Sequence, residues 1–189
     1  MGKRNPSKRY QTFSAPVILP YSPVLYIHPA KQGTEFRPSD TVGRPYGVIP
    51  VGVAALVNKL RENGIPVKGI NHPLEMQLNP MFDLKSWLRS FSGVKVVLID
   101  LHWYEHCYGA VSVARLCIKV LPNVFTVLGG LSASGFAREI LENHPAVDFI
   151  VRGDGESPLL SLIQHLLKNT SPEKSSEVLA GIPNLSYRG

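Results

Sequence analysis

Four short stretches of the sequence combine glycines, carboxylates, imidazoles and aromatic rings in patterns that suit the binding of a large cofactor. They are His28-Pro29, Asp100-Leu101-His102-Trp103-Tyr104-Glu105-His106, Gly129-Gly130-Leu131-Ser132 and Gly153-Asp154-Gly155-Glu156. A glycine turn at the start of a helix lets a ligand approach the backbone and hydrogen-bond its N–H groups. Imidazoles are common metal ligands. Two such turns beside a loop rich in aromatic residues predict a wide, flat-walled cofactor site.

Each of these stretches also has a purely structural interpretation when it is taken alone. The glycine pairs can simply make tight turns, Asp100 can cap the turn that follows its strand, and Trp103 can pack against the next helix. His72, His144 and His165 are interpreted as surface or structural residues. Nicotinamide dinucleotides and ATP are poor candidates for the cofactor, because neither G-x-G-x-x-G after the first strand nor G-x-x-x-x-G-K-[ST] occurs.

The four stretches follow apolar runs that alternate with helical patterns. Strands are predicted at 24–27, 67–70, 94–100, 125–128 and 149–151. Helices are predicted at 51–63, around 84–91, at 109–121, after an N-cap at Ser134, and after an N-cap at Ser157. This alternation predicts an α/β, flavodoxin-like (Rossmann-like) fold with a five-stranded parallel sheet of order 2-1-3-4-5 and helices on both faces. In such sheets ligands bind beyond the carboxyl ends of the strands, where the four stretches fall.

Composition and charge limit the remaining possibilities. Four of the six net positive charges belong to Lys3, Arg4, Lys8 and Arg9, so the rest of the chain carries about +2 and offers no broad basic face for nucleic acid. No apolar run is long enough to cross a membrane, and the N-terminus lacks the apolar core of a secretory signal, which favours a cytoplasmic location. Residues 1–23 are predicted to form a basic, proline-containing arm, and residues 28–50 to form a long connection, of a length that is usually functional or mobile.

The order of several motifs resembles the N-terminal cobalamin-binding domain of cobalamin-dependent radical SAM enzymes. The resemblance covers residues 24–188, and its most specific parts are VLGG, VRGDGE followed by an apolar helix, and GIPNLSYR. It implies that residues 24–170 bind cobalamin (vitamin B12) and that 171–189 lead as a linker, or as an edge strand, toward a radical SAM domain. It further implies that the nucleotide tail of cobalamin lies among Gly129, Gly130, Gly153, Asp154, Gly155 and Glu156. The remaining cofactor contacts would come from His28, Leu101, His102, Trp103, Tyr104, Leu131 and Ser132, with the loop from Leu101 to Cys107 facing the corrin.

The sequence departs from related proteins in two places that bear on the chemistry. Mutases and methionine synthases with this fold carry D-x-H-x-x-G after the first strand, with a histidine that ligates cobalt, whereas this chain has only His28-Pro29. We therefore expect no protein ligand on the lower face of cobalt; the alternative ligand is His102, or less plausibly His106, in a loop predicted not to be helical. An iron–sulfur cluster needs three thiolates in C-x-x-x-C-x-x-C, and Cys107 and Cys117 cannot supply them.

The resemblance therefore implies a binding domain that presents cobalamin to a radical SAM domain in cis or in trans, most plausibly for methyl transfer. S-adenosylmethionine and the [4Fe–4S] cluster would belong to that partner, and the chain alone is expected neither to assemble a cluster nor to cleave S-adenosylmethionine. Valine at Gly129 or Gly130 is predicted to abolish cobalamin retention without disturbing the fold. The alternative function is a cofactor-free, flavodoxin-like signalling or protein-interaction module.

Overall fold

The computed structural model describes residues 19–34, 48–121, 123–168 and 172–188. Most of the predicted N-terminal arm, and residues 35–47 of the predicted long loop, lie outside these ranges. The elements of the described chain are, in order, β1 (Val24–His28), α1 (Val51–Glu62), β2 (Val67–Asn71), α2 (His72–Leu78), α3 (Leu84–Arg89), β3 (Val96–Asp100), a 3-10 helix (Tyr104–His106), α4 (Cys107–Val120), β4 (Phe125–Gly129), α5 (Leu131–Gly135), α6 (Ala137–Asn143), β5 (Phe149–Val151), α7 (Glu156–Leu167), α8 (Pro172–Ala180) and β6 (Leu185–Tyr187).

The strands form one sheet of order β2-β1-β3-β4-β5-β6, in which β1 to β5 are parallel. This confirms the predicted fold class and the order 2-1-3-4-5. The register places Asp100 opposite Gly129, and Gly129 opposite Val151, so the ends of β3, β4 and β5 are neighbours. The GIPNLSYR segment, left open as a linker or an edge strand, contributes β6, a sixth strand that pairs antiparallel with β5.

Side chains alternate along the central strands between two separate cores, because helices cover both faces of the sheet. In β1, Leu25 and Ile27 join the core beneath α3, α4 and α6. Val24 and Tyr26 join the core beneath α1 and α7. All five residues of β1 and of β3 are buried, as expected for strands in the middle of a parallel sheet. Because successive side chains point to opposite faces of the sheet, the alternation determines which residues at the strand ends can contact a ligand on a given face.

Several local predictions need correction. The polar connection after β2 contains the helix α2, whose N-terminus is capped by the side chain of Asn71 accepting from the Leu74 amide. The predicted linker contains α8. Ser134 lies inside α5 and not at an N-cap, and α7 begins at Glu156, one residue before the predicted cap Ser157. Helix α4 begins at Cys107, two residues earlier than predicted. Within the described ranges, none of the helices is both long and apolar enough to span a membrane.

Candidate cofactor site

A cavity of about 340 Å³ lies between one face of the sheet and the helices α1 and α7, beside the carboxyl ends of the strands. Its aliphatic walls come from both sides. The sheet contributes Leu98, Val127 and Val151, and the helices contribute Val53, Leu56, Val57 and Leu159. The α1 residues recur at helical spacing, so they face the sheet together. The residues at the strand ends therefore border an apolar cavity that is covered by α1 and α7.

Three buried polar side chains from β1 and β3 form a hydrogen-bonded cluster beside this cavity. The Tyr26 hydroxyl donates to Asp100 Oδ1 at 2.5 Å, and His28 Nδ1 lies 3.0 Å from both carboxylate oxygens of Asp100. Burial and the adjacent Asp100 carboxylate raise the pKa of Tyr26, so its phenol keeps its proton and remains a donor. Tyr26 and Asp100 lie on the cavity wall, whereas His28 is fully buried and is not among the described lining residues.

Two further buried histidines lie close to His28. The ring of His106 has its centroid 5.2 Å from that of His28. Burial, and then the charge of His28, lowers the pKa of His106 and lowers the pKa of His72 to about 4. Neither ring nitrogen of His72 has a hydrogen-bond partner, and its side chain is fully buried. His72 was interpreted as a surface or structural residue, and the structure places it in the interior.

Gly130 packs closely against the loop after β3, in addition to lining the cavity. Gly130 has φ 111° and ψ 175°, a conformation that is essentially restricted to glycine. A Cβ at this position would lie 2.8 Å from the carbonyl carbon and oxygen of Leu101 and 2.9 Å from the Cα of His102. The absence of a side chain at Gly130 therefore lets the backbone of the loop after β3 approach the turn closely. This contradicts the prediction that valine at Gly130 would leave the fold undisturbed.

The first N–H groups of α5 also bind this loop. The Ser132 amide and hydroxyl donate to the carbonyl of His102 at 3.3 and 3.0 Å, and the Ala133 amide donates to the carbonyl of Leu101 at 3.1 Å. The two carbonyl groups satisfy helix-terminal amides that would otherwise face solvent or a ligand. The Ser132 and Ala133 amides, predicted to hydrogen-bond a ligand, are therefore committed to the loop after β3, and this connection positions His102 beside the cavity.

Ser134 connects the two glycine turns. Its hydroxyl donates to the carbonyl of Gly130 at 2.9 Å and accepts from the amide of Gly153 at 3.0 Å. Gly130, Ser134 and Gly153 all line the cavity. One hydroxyl group thus holds the turn after β4 against the turn after β5, and sets the spacing of that side of the cavity.

The structure brings eight of the predicted cofactor-binding residues to the cavity wall. These are His102, Gly129, Gly130, Leu131, Gly153, Asp154, Gly155 and Glu156. The other five, His28, Leu101, Trp103, Tyr104 and Ser132, are not among the described lining residues. Leu101 is fully buried in the core on the opposite face of the sheet, because alternation after β3 directs Asp100 and Leu101 to opposite sides.

The loop after β3 is more ordered than its sequence indicated. Tyr104–His106 form a 3-10 helix that continues into α4, which corrects the prediction of a non-helical loop. His106 is buried, and Trp103 lies between it and His102, with ring centroids 5.7 and 4.8 Å away. Of the two histidines considered as cobalt ligands, only His102 lies on the cavity wall.

Sequence reasoning missed the aliphatic wall and the polar cluster. The helical pattern identifies Val53 and Val57 only as part of a buried helix face and does not single out Leu56, and Tyr26 is predicted only as part of an apolar strand. The spacing of apolar residues predicts which face of a helix is buried. It does not distinguish a face that packs against protein from one that packs against a ligand. Gly52 is the one residue of α1 that could have indicated a ligand site from the sequence, because it leaves the first turn of the helix without a side chain beside the strand ends.

Comparison with known protein families decides the class of cofactor. The model of the B12-binding domain family matches residues 42–163 of the chain, a range that contains both glycine turns, α1 and the start of α7. The chain belongs to the B12-binding domain family. Cobalamin is the ligand of this family, and the cavity described above lies within the matched range except for Tyr26. The sequence resemblance to a cobalamin-binding domain is thereby confirmed.

Individual relatives of this B12-binding domain are longer proteins. The chain is 40% identical over 57 residues to an anaerobic magnesium-protoporphyrin IX monomethyl ester cyclase of Cereibacter sphaeroides, covering 30% of this chain and 9% of the cyclase. It is 25% identical over 141 residues to the hopanoid C-3 methylase of Methylococcus capsulatus, covering 74% of this chain and 26% of the methylase. It is 32% identical over 81 residues to an uncharacterized methyltransferase of Pyrococcus horikoshii, covering 43% of this chain and 16% of that protein. The chain thus spans about a quarter or less of the length of these relatives.

The chemistry of the cavity fits the cofactor of the family. Small-molecule sites are mostly apolar chambers of roughly 300–1,000 Å³ with a few polar groups that set orientation. This cavity has that size and lining, and its polar members include the buried Tyr26 and Asp100 and the half-buried Ser134. An aliphatic chamber of this kind suits a planar aromatic base, and the strand ends beside it suit the larger corrin ring.

Proposed function

We propose that this chain binds cobalamin with the nucleotide tail in the cavity between the sheet, α1 and α7, and with the corrin over the strand ends. The observation that carries the proposal is the apolar chamber beside two glycine turns in a chain of the B12-binding domain family. His102 and Leu131 line the cavity, and Leu131 is exposed, so both side chains can contact the corrin. The exposed ring of Tyr104 lies two residues after His102, in the segment that follows β3.

The further part of the proposal concerns the partner. The bound cofactor is presented to a radical SAM catalytic domain, in cis or in trans, which holds the [4Fe–4S] cluster and S-adenosylmethionine. When bound, the cobalt of cobalamin supplies methyl-carrier chemistry, and a methyltransferase is the reaction we favour. Support comes from two relatives whose names describe a methylase and a methyltransferase. The residues of this chain bind and orient the cofactor.

The arrangement around Asp100 gives no support to a phosphate-receiving signalling module. The residue is 7% exposed, and its carboxylate is bonded to Tyr26 and His28. A phosphoryl acceptor must be open to its donor, whereas this side chain is part of the interior of the sheet edge. Asp100 instead organises β1 and β3 beside the cavity.

Cobalamin retention tests the proposed function directly. The purified chain, mixed with hydroxocobalamin and desalted, is expected to keep the visible absorption of the corrin at about one equivalent. Gly129→Val is expected to lose at least tenfold in affinity, because a Cβ there meets only the Val151 carbonyl oxygen, at 3.6 Å, and the added methyl groups occupy cavity space. Gly135→Ala is the matched control, since a Cβ there meets nothing within 4 Å. Retention of flavin mononucleotide without cobalamin would contradict the proposal.

Ser134 offers a second test, with two nearly isosteric substitutions. Ser134→Thr keeps the hydroxyl that joins the turns, and Ser134→Val removes it. Loss of one hydrogen bond of this kind is worth about 0.5–1.5 kcal/mol, so the valine variant is expected to bind cobalamin roughly 2–10-fold more weakly than the threonine variant. Hydrogen exchange of the Gly153 amide is also expected to accelerate only with valine, because that amide donates to Ser134 Oγ. Equal exchange rates in the two variants would show that the hydroxyl does not join the turns.

A further inference from the structure

The cavity wall is dominated by hydrocarbon. Leu98 and Val127 of the sheet face Leu56 of α1 and Leu159 of α7 across it. Among the described lining residues there is no lysine or arginine. A group enclosed between these walls therefore finds dispersion contacts on both of its faces, but no cationic partner there.

Three hydrogen-bond donors of the cavity wall are already committed within the protein, whereas His102, Asp154 and Glu156 line the wall at the turns that follow the strands. The Tyr26 hydroxyl donates to Asp100, the Ser134 hydroxyl donates to the Gly130 carbonyl, and the Gly153 amide donates to Ser134. The Asp100 carboxylate accepts from the Tyr26 hydroxyl, and each of its two oxygens lies 3.0 Å from His28 Nδ1. Where a ligand lies against the aliphatic walls and these paired groups, its polar edge atoms would have to break these bonds or stay without a hydrogen-bond partner.

Cobamides differ from one another in the base at the end of the nucleotide tail, and the two common chemical types place different demands on such walls. A benzimidazole with methyl substituents presents mainly hydrocarbon edges. A purine such as adenine presents an exocyclic amine and several ring nitrogens. A polar group that is buried without a partner weakens binding, whereas a buried methyl group strengthens it.

We propose that this cavity selects cobamides with a benzimidazole-type lower base over those with a purine-type lower base. The selectivity rests on the proposed placement of the nucleotide tail in the cavity. It arises from the aliphatic walls on both faces of the base, together with the internal pairing of Tyr26, Asp100 and Ser134. A protein with this preference depends on a supply of cobalamin itself, and not merely of any complete corrinoid.

A series of three corrinoids tests the selectivity. The probes are cobalamin, the otherwise identical cobamide with adenine as its lower base, and cobinamide, which lacks the nucleotide tail. Binding to the full chain is measured by the change in corrin absorption. Cobalamin is expected to bind at least tenfold more tightly than the adenine cobamide, and also more tightly than cobinamide.

The outcomes separate this inference from the proposed function. If cobalamin fails to bind, the proposed function itself is wrong. If cobalamin and cobinamide bind equally, the tail does not use the cavity, and the selectivity has no structural basis. If the adenine cobamide binds as tightly as cobalamin while cobinamide binds weakly, the cavity holds the tail but does not select its base, and the inference alone is overturned.

A matched pair of substitutions assigns the selectivity to the wall. Val127→Thr adds a hydroxyl to the cavity wall, whereas Val97→Thr adds the same group to the core on the opposite face of the sheet. Both valines are buried, so both variants lose stability for the same reason. Only Val127→Thr is expected to narrow the ratio of affinities for cobalamin and the adenine cobamide. An unchanged ratio in Val127→Thr would show that the wall is not the source of the preference.

Discussion

Replacing Gly130 by alanine is expected to lower the free energy of unfolding by about 2–6 kcal/mol. The backbone at Gly130, with φ 111° and ψ 175°, lies in a region that costs other residues about 1–3 kcal/mol. The new Cβ would also lie 2.8 Å from the backbone of Leu101, which cannot rotate away as a flexible side chain would. Forced repacking of this kind costs about 1–3 kcal/mol more. Urea denaturation at neutral pH measures the loss.

Two neighbouring glycines provide controls for Gly130→Ala. A Cβ at Gly135 meets nothing within 4 Å, and one at Gly129 meets only the Val151 carbonyl oxygen at 3.6 Å. Both Gly135→Ala and Gly129→Ala are expected to stay within about 1 kcal/mol of the unmodified chain, as ordinary surface or helix-propensity changes do. If Gly130→Ala falls in the same narrow range, the close approach of the Leu101 loop is not needed for folding.

The arrangement of strands could be predicted because it depends on short-range patterns. The apolar runs VLYIH and VVLID read as strands buried on both faces, and their alternation with helices restricts the topology to a few parallel orders. The antiparallel strand Leu185–Tyr187 could not be fixed in the same way. Its partner, β5, lies more than thirty positions earlier in the chain. Its direction follows only from the pairing across that distance, which runs from Phe149 with Tyr187 to Val151 with Leu185.

The location of the candidate site was predictable, whereas the roles of its residues were not. The glycine turns lie at the carboxyl edge because their strands end there, which is a property of topology. That Gly130 accommodates the Leu101 backbone, and that Ser134 joins two turns, depends on distances between segments far apart in sequence. Glycine patterns show that a close approach is needed, but they do not show which group approaches.

Acidification is expected to destabilise the chain through the buried ring of His72. Burial holds the pKa of this imidazole at about 4, below its ordinary value of 6.5. As the pH falls below about 6.5 the unfolded chain takes up a proton that the folded chain does not bind, so the free energy of unfolding decreases until the pH reaches about 4. The shift corresponds to about 3 kcal/mol lost across that window. The lowered pKa of buried His106 acts in the same direction.

His72→Phe isolates the contribution of this histidine. Phenylalanine keeps an aromatic ring beside Phe82, whose ring centroid lies 6.1 Å from that of His72, and removes two ring nitrogens that have no hydrogen-bond partner. Urea denaturation of both proteins between pH 7.5 and pH 4 is the measurement. Any change in packing shifts the stability of the variant equally at every pH, whereas loss of the titrating ring flattens the fall below pH 6.5. Parallel stability curves over the whole range would show that His72 does not resist protonation in the folded chain, and that the acid sensitivity arises from other groups.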